Sequence, residues 1–264
     1  PKDMLVPLLK HQRIGLAWMK AKESSQTKGG ILADDMGLGK TVQALAVMML
    51  NRSKDAKCKT NLVITPVSLL RQWDQEASTK LRPEAEFSCY IYHQSNRVKT
   101  FAELQRFDMV LVSYNTLASE WKRHFALAIS ELKRHKSSAI PGRDRGGESY
   151  QSPFFTSDAK FYRIVLDEAQ NIKNKLTNAS KCVATLDGVY RWCLSGTPIQ
   201  NRIDELYPQL RFLQVEPYCE EKRFKTEIAG PIKSGWDNTR AYSKLHAVLS
   251  AVLLRRTKDS QIDG

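Results

Sequence analysis

GGILADDMGLGKT, residues 29–41, is the stretch that decides the fold of this 264-residue chain. Its last eight residues fit a phosphate-binding loop, and the residues before them fit the strand that leads into one. Gly37 and Gly39 permit close approach, so that successive backbone N–H groups can face a bound phosphate chain. Lys40 would then contact the β- and γ-phosphates, and the Thr41 hydroxyl would ligate Mg²⁺. The stretch predicts ATP or GTP as ligand, at the positive N-terminus of a helix over residues 42–50.

The loop departs from the common pattern at one position. That pattern begins with glycine six residues before the lysine, and here the position is Asp34. A glycine-rich turn at a helix start is the alternative interpretation, so the rest of the chain has to decide. The residues predicted to bind nucleotide in this loop are Asp35, Met36, Gly37, Leu38, Gly39, Lys40 and Thr41.

Length and composition fit one large α/β domain as well as two small ones, and we favour one domain, with a polyanionic partner. With 42% hydrophobic residues, a chain of this length can bury one substantial core. The 41 basic residues exceed the 28 acidic ones and give a formal charge of +13, which suits DNA or RNA. A surface of solvated lysines would give the same charge.

Other composition signals exclude several classes of protein. The five cysteines never form a CxxC pair, so neither a disulfide framework nor a zinc site is predicted. No apolar run has the length of a membrane span, and the N-terminus lacks a signal-peptide pattern. Because the chain begins with Pro1 rather than Met, we interpret it as a piece of a longer protein.

Strand and helix patterns alternate along most of the chain. This alternation predicts an α/β fold with a mostly parallel central sheet flanked by helices. The strand candidates are residues 61–65, 87–92, 108–113, 161–166 and 191–194, and the helix candidates after the first strand are residues 42–50, 68–81 and 114–132. Residues 133–158 break the pattern with glycines, serines and mixed charges, which predicts an exposed, mobile insertion. Arg143 and Arg145 in it could touch nucleic acid, although an inert loop fits equally well.

A pair of carboxylates follows the strand candidate 161–166. Asp167 and Glu168 stand where a nucleotide-hydrolysing enzyme with a phosphate loop needs its second Mg²⁺ contact. Asp167 suits that contact, and Glu168 suits the positioning and deprotonation of the attacking water. Alone, such a pair is more often a solvated turn. The loop upstream reverses that expectation.

Two further polar positions fit the same site. Gln12 lies upstream of the loop beside an apolar stripe, and its amide could read an adenine edge because it both donates and accepts hydrogen bonds. A solvent-facing polar residue is the alternative. The turn SGTP at residues 195–198 could sense the γ-phosphate if it follows the next strand, although it also fits a linker.

The order of these motifs resembles the first RecA-like lobe of superfamily-two helicase-like ATPases, and more closely the Swi/Snf-type chromatin remodellers and DNA translocases. The matching segments span nearly the whole chain. They are ILADDMGLGKT at 31–41, LVITPVSLLRQW at 62–73, VLVSYNTL at 110–117, LDEAQNIKN at 166–174, LSGTPIQN at 194–201 and LLRRTK at 253–258. SPFF at 152–155 and Gln170 are similar to the fungal RING-bearing, SUMO-associated translocases. Many relatives carry histidine at position 170.

The resemblance implies translocation along double-stranded DNA driven by ATP and Mg²⁺, in the nucleus, without strand separation. For residues 1–264 it implies one RecA-like lobe that needs a second lobe for activity, with nucleosomes or SUMO-modified chromatin proteins as partners of other regions. Its implied coupling residues are Gln170, Ser195, Gly196 and Thr197. Its implied DNA-backbone contacts are Thr65, Pro66, Gln72, Trp73, Ser113, Tyr114 and Thr116. Trp73 also fits a core position.

Two other functions remain open at this stage. A strand-separating helicase lobe would use the same chemistry, but the wording of the motifs disfavours it. A non-catalytic module that binds nucleic acid or protein would carry a vestigial nucleotide loop. The intact Lys40, Thr41, Asp167 and Glu168 argue against it, because a lapsed site has no physical need for all four.

Overall fold

The computed structural model describes residues 1–93, 97–235 and 238–258. Within these ranges, seven strands form one sheet in the order β3-β4-β2-β5-β6-β1-β7, and every pair of neighbours is parallel. The strands are β1 (Gly29–Leu32), β2 (Asn61–Thr65), β3 (Cys89–Ile91), β4 (Met109–Ser113), β5 (Phe161–Asp167), β6 (Gly188–Leu194) and β7 (Leu253–Leu254). The predicted parallel sheet is confirmed.

Helices pack on both faces of this sheet. They are α1 (Lys10–Glu23), α2 (Lys40–Leu50), α3 (Leu70–Lys80), α4 (Phe101–Leu104), α5 (Tyr114–His124), α6 (Ala126–Arg134), α7 (Asn178–Thr185), α8 (Tyr207–Leu213), α9 (Glu221–Phe224), α10 (Gly230–Ser234) and α11 (Asn238–Val252). A π-helical turn, Lys225–Ala229, joins α9 to α10. None of the described helices is both long and apolar enough to cross a membrane.

The central strands are buried on both faces, as expected for a parallel sheet covered by helices. All five residues of β2 are buried, and so are all five of β4. Alternate side chains enter two hydrophobic cores: Leu62 and Ile64 join one, whereas Val63 joins the other. The sheet therefore forms the interior of the protein. The loops lie where the strands end, at the carboxyl edge, and where they begin, at the amino edge.

The predicted helices differ from the observed ones in their bounds, since residues 42–50 and 68–81 correspond to Lys40–Leu50 and Leu70–Lys80. The first helix, α1, begins at Lys10, after the antiparallel bridge of Met4 with Leu81. The predicted helix over residues 114–132 is interrupted at Phe125, whose backbone leaves the helical region at φ −103° and ψ 25°. Residues 61–65 form a strand with the predicted bounds.

The predicted insertion is not exposed throughout. Ser152, Pro153, Phe154 and Phe155 are buried, and Phe154 packs edge-to-face against Tyr92. The sequence prediction is wrong for this part, because the low apolar content upstream of residue 152 concealed an aromatic anchor. SPFF closes the core beside the edge strand β3.

The two arginines of the insertion, Arg143 and Arg145, contact other residues of the chain. Arg143 donates to the carbonyls of Thr156 and Ala159 at 3.1 and 3.0 Å and pairs with Asp187 at 2.8 Å. Arg145 pairs with the exposed Glu131. In this arrangement Arg143 anchors the insertion, rather than offering its charge to nucleic acid.

Candidate functional site

Sheet order brings three motif-bearing loops together at the carboxyl edge. β6 lies between β1 and β5, with Leu32 opposite Leu194 and Asp167 also opposite Leu194. The phosphate loop, the SGTP turn and the Asp-Glu pair therefore leave neighbouring strand ends. Ligands bind parallel sheets at this edge.

The loop presents an open helix N-terminus to this edge. Gly39 precedes α2 in the left-handed conformation, with φ 75°, and no side chain caps the helix. Gly37 also has positive φ, 90°, which favours glycine. Because no side chain satisfies the first N–H groups of α2, they are available to an anion.

Lys40 lies at the end of the loop, and its ammonium interacts electrostatically with carboxylates of the loop and of the Asp-Glu pair. Its Nζ donates to the carbonyls of Asp34 and Asp35 at 2.7 and 3.3 Å. Burial lowers the pKa of Lys40, and the charges of Glu168, Asp34 and Asp167 oppose that shift. The structure thus brings Lys40 close to Glu168 and Asp167, which are more than 120 positions away along the chain.

Asp167 is held by donors from two other segments. Its Oδ2 accepts hydrogen bonds from Thr65 Oγ1 at 2.9 Å and Trp73 Nε1 at 2.8 Å, and its Oδ1 accepts the N–H of Glu168 at 3.0 Å. Burial raises the pKa of Asp167, while the bonds from Trp73 and Thr65 stabilise the carboxylate and act against that rise. With Oδ2 fixed, Oδ1 is the oxygen left for further contacts.

These contacts correct part of the DNA-contact prediction. Thr65 and Trp73 are 0% and 1% exposed, and Tyr114, 5% exposed, donates its hydroxyl to the Asp167 carbonyl at 2.8 Å. Ser113 is buried and caps α5 by accepting the N–H of Thr116 at 3.1 Å. The side chains of Thr65, Trp73 and Tyr114 therefore lie inside the protein, and not on the surface where the sequence prediction put their DNA contacts. The alternative of a core position for Trp73 is the one observed.

The outer face of the same segments is accessible. Gln72 is exposed, and Pro66 and Thr116 are half-buried, so their DNA-contact role stays a prediction. Thr65 pairs with Ser113 in the register of β2 and β4, which places the starts of the two following helices side by side. The sequence interpretation missed three exposed neighbours on this face, Ser68, Arg71 and Asn115. Their spacing beside the predicted residues was the available signal.

Gln170 bridges the Asp-Glu pair to the SGTP turn. Its Nε2 donates to Glu168 Oε2 at 2.6 Å, and its Oε1 accepts from Ser195 Oγ at 2.8 Å. Ser195 Oγ in turn accepts the N–H of Thr197 at 3.1 Å. An amide can make both contacts without titrating, which a histidine at this position could not do across its pKa.

The SGTP turn also lies over the phosphate loop. A Cβ added to Gly196 would be 3.5 Å from Met36 Cγ and 3.8 Å from the Asp34 carbonyl. Ser195 is fixed from below, because its N–H donates to the Leu32 carbonyl at 3.2 Å. A change in the loop around Met36 can therefore reach Gly196 directly.

Gln12 joins α1 to the loop. Its Oε1 accepts the N–H of Leu9 at 3.0 Å, and a Cβ on Gly39 would lie 2.4 Å from its Nε2. Gln12 is buried rather than a solvent-facing polar residue. Its contact with adenine stays a prediction.

The oxygen donors at this edge fit a magnesium ion. Thr41 supplies a hydroxyl and Asp167 a carboxylate oxygen, and Mg²⁺ prefers hard oxygen ligands from one or two such groups plus phosphates. The donors on Oδ2 keep the carboxylate in one orientation, as second-layer groups do at metal sites.

Known proteins that are similar in sequence or fold point to one family. The model of the SNF2-related domain matches residues 11–262. The chain is 49% identical over 278 residues to the ATP-dependent helicase ULS1 of Saccharomyces cerevisiae, covering 100% of this chain and 17% of that protein. It is 42% identical over 265 residues to an uncharacterized ATP-dependent helicase of Schizosaccharomyces pombe, covering 100% of this chain and 24% of that protein.

A solved structure has the same fold. The SWI2/SNF2 ATPase core of Sulfolobus solfataricus in complex with double-stranded DNA aligns with a TM-score of 0.73 and 30% identity, covering 98% of this chain and 46% of that one. The chain thus spans less than half of each of these three proteins. The RecA-like architecture is confirmed. The chain belongs to the SNF2 family.

Proposed function

We propose that this chain is the ATP-binding lobe of a motor that moves along double-stranded DNA, hydrolysing ATP when a second lobe completes the site. The observation that carries the proposal is the meeting of three loops at one edge. Lys40 lies within the field of Glu168 and Asp167, and Gln170 bonds both Glu168 and Ser195. A vestigial loop would not require this arrangement.

Each residue has a distinct role in this mechanism. The N–H groups at the start of α2 and the Lys40 ammonium bind the phosphates, and Gln12, which packs against the loop, contacts the base. Glu168 accepts a proton from the attacking water, and the Gln170 amide fixes its Oε2. A shift of Glu168 during hydrolysis would move the Gln170 amide and, through it, Ser195. The hydrogen-bonded turn then transmits occupancy of the site to the rest of the lobe.

Thr41 and Asp167 would hold Mg²⁺. When bound, the ion neutralises charge that develops on the phosphates. Thr65 and Trp73 keep the Asp167 carboxylate oriented for that purpose. This role replaces the DNA contact that the sequence predicted for their side chains.

DNA would lie on the outer face of the carboxyl edge, beside the starts of α3 and α5. Pro66, Gln72 and Thr116 are accessible there, with Arg71 supplying positive charge. Helix starts and short polar groups contact phosphates without reading sequence. The SWI2/SNF2 core of Sulfolobus solfataricus, solved in complex with double-stranded DNA, supports this class of partner.

The wider setting follows from the family. We propose that the longer protein acts in the nucleus. Its partners would be nucleosomes or SUMO-modified chromatin proteins, bound through regions outside residues 1–264. The names of the yeast relatives support an ATP-dependent enzyme that acts in a longer protein.

Two substitutions in the longer protein test the mechanism. We expect Lys40→Ala to abolish nucleotide binding, and Glu168→Gln to keep ATP bound while DNA-stimulated turnover falls by about 100-fold or more. Fluorescent-nucleotide binding and phosphate release measure the two effects. Normal turnover by Glu168→Gln would remove the water-activating role, and efficient ATP-dependent strand separation would favour the helicase alternative.

A further inference from the structure

A buried ion pair lies against the phosphate loop, and the mechanism above does not use it. Arg256 binds Asp34 in a two-pronged arrangement, with Nε 2.9 Å from Oδ1 and Nη2 bonded to Oδ2. The Asp34 side chain is 0% exposed and that of Arg256 13%. Paired bonds of this kind fix orientation as well as charge.

Arg256 also ties the loop to the helices on either side of it. Its Nη2 donates to Gln43 Oε1 at 2.9 Å, and its Nη1 donates to the His11 carbonyl. Gln43 returns a hydrogen bond from Nε2 to Asp34 Oδ2 at 3.1 Å. One guanidinium thus joins α1, the loop and α2, with Gln43 closing the ring.

The backbone around Arg256 extends the same contact. Past β7, the chain runs beside the loop, where Ala33 and Asp35 donate their N–H groups to the carbonyls of Leu254 and Arg256 at 2.7 and 3.0 Å. The Lys258 N–H reaches Asp35 Oδ2 at 3.3 Å. Residues 253–258 therefore flank the first half of the loop along its length.

This arrangement explains why the loop carries aspartate where the common pattern has glycine. The Asp34 carboxylate faces Arg256, 222 positions away, while the Asp34 carbonyl accepts the Lys40 ammonium at 2.7 Å. Rotation of Asp34 would move both groups. Anchoring its side chain therefore also places the carbonyl that positions Lys40.

We propose that Arg256 is a positioning residue for nucleotide binding, which holds the phosphate loop in its binding shape through Asp34 and Gln43. Nucleotide affinity then depends on the docking of residues 253–258 against β1 and the loop. This inference rests on the proposed function, since it concerns the same loop. The role of Arg256 is to position the loop, with no phosphate contact of its own assigned.

The test compares Arg256→Ala with Arg255→Ala in the 264-residue chain. Arg255 is the adjacent arginine and its side chain is exposed. Its loss removes the same charge next to the same position but leaves the pair of Arg256 with Asp34 in place. We expect Arg256→Ala to weaken binding of a fluorescent ATP analogue by about tenfold or more, because charge-assisted bonds are lost. Arg256→Lys should recover part of the affinity, since it keeps the charge without the fork. Arg255→Ala should bind as the parent does.

A second readout needs no nucleotide. Amide hydrogen exchange over residues 33–41 should be faster in Arg256→Ala and unchanged in Arg255→Ala. Asp34→Asn supplies a nearly isosteric variant if Arg256→Ala does not fold, and it should change affinity and exchange in the same direction. A lower melting temperature with parent-like nucleotide affinity and parent-like loop exchange would overturn the proposal.

The two readouts separate this proposal from the proposed function. If the parent chain binds no ATP analogue at millimolar concentration, the proposed function loses its support in this chain, and exchange alone decides the role of Arg256. Faster amide exchange of the loop in Arg256→Ala and Asp34→Asn would then still support the proposal that Arg256 holds the loop in shape. Unchanged exchange would reject it.

Discussion

The two edges of the sheet both carry buried ionic networks, but they differ in what surrounds them. At the carboxyl edge, Asp34 and Asp167 are fixed by partners from distant segments and adjoin the open start of α2. At the amino edge, Arg163 and Glu23 are both 0% exposed and their bonds close on other protein groups. The first network leaves groups available for a ligand, whereas the second is enclosed. The comparison separates residues that serve chemistry from residues that serve folding.

The amino-edge network is centred on two buried side chains, Glu23 and Arg163. Glu23 accepts from Arg163 at 2.5 and 2.7 Å, from Asn51 at 2.6 Å and from the Trp192 indole at 3.0 Å. Arg163 Nη1 donates to Asn61 at 2.9 Å. This set connects the end of α1 to three strands, so its loss should reduce stability without touching nucleotide chemistry.

The largest expected effect is on stability at the amino edge. Glu23→Gln leaves the buried Arg163 charge uncompensated, and we expect the free energy of unfolding to fall by about 3–5 kcal/mol. Chemical denaturation measures it. Glu131→Gln, which breaks the exposed pair with Arg145, is the control and should cost roughly 0–1 kcal/mol. A change in ATP affinity of folded Glu23→Gln would contradict the separation of the two edges.

At the carboxyl edge, the Trp73 indole should matter through Asp167. Trp73→Phe removes the 2.8 Å bond to Oδ2, and we expect Mg²⁺-dependent ATP turnover of the longer protein to fall by about 10- to 100-fold. Trp121→Phe is the matched control, because its buried indole donates to Thr185 at 3.0 Å instead. Equal losses in both variants would show that Trp73 acts only through packing.

The DNA-facing surface should give smaller changes that depend on salt. Arg71→Ala should weaken binding of duplexes of any sequence and reduce the salt slope by about 0.9 if one phosphate contact is lost. Lys54→Ala is the control, because this exposed cation lies between α2 and β2, at the amino edge. Filter binding at several salt concentrations measures both. A slope change with Lys54→Ala alone would place the DNA elsewhere.

The smallest expected effect concerns the anchor of the insertion. His124 Nδ1 accepts the N–H of Ser152 at 3.1 Å, and burial lowers the pKa of His124 below its ordinary value of 6.5. Because the unfolded chain then binds more protons, stability is present above that ordinary pKa and falls as the pH drops below it. Thermal unfolding between pH 8 and pH 5, approximately the range in which histidine titrates, should show a decline that His124→Gln reduces.

Local patterns predicted six of the seven described strands and the phosphate loop, because each depends on neighbours in sequence. The run of β-favouring residues NLVIT indicated β2, and glycine spacing indicated the turn at Gly37 and Gly39. The Asp167 partners were assigned to DNA, since a motif match cannot show which way Trp73 faces. The partner of Asp34 was also missed. A contact spanning 222 positions leaves no periodic signal in one sequence.

The insertion illustrates the same limit at a smaller scale. Its glycines and serines predict exposure, and residues 142–149 are exposed or half-buried. Phe154 and Phe155 nevertheless pack in the hydrophobic core, where Phe154 contacts Tyr92 at the end of the edge strand β3. Composition averages over such a short anchor.

The decisive measurement for the nucleotide site is a structure of the chain with Mg²⁺ and a non-hydrolysable ATP analogue. We expect one metal-bound triphosphate contacted by Lys40 and by the N–H groups at the start of α2, with Thr41 and Asp167 on the side of the metal and Glu168 facing the γ-phosphate. A triphosphate bound away from this edge, or one that leaves Lys40 on the Asp34 carbonyl and Asp167 apart from the metal, would contradict it.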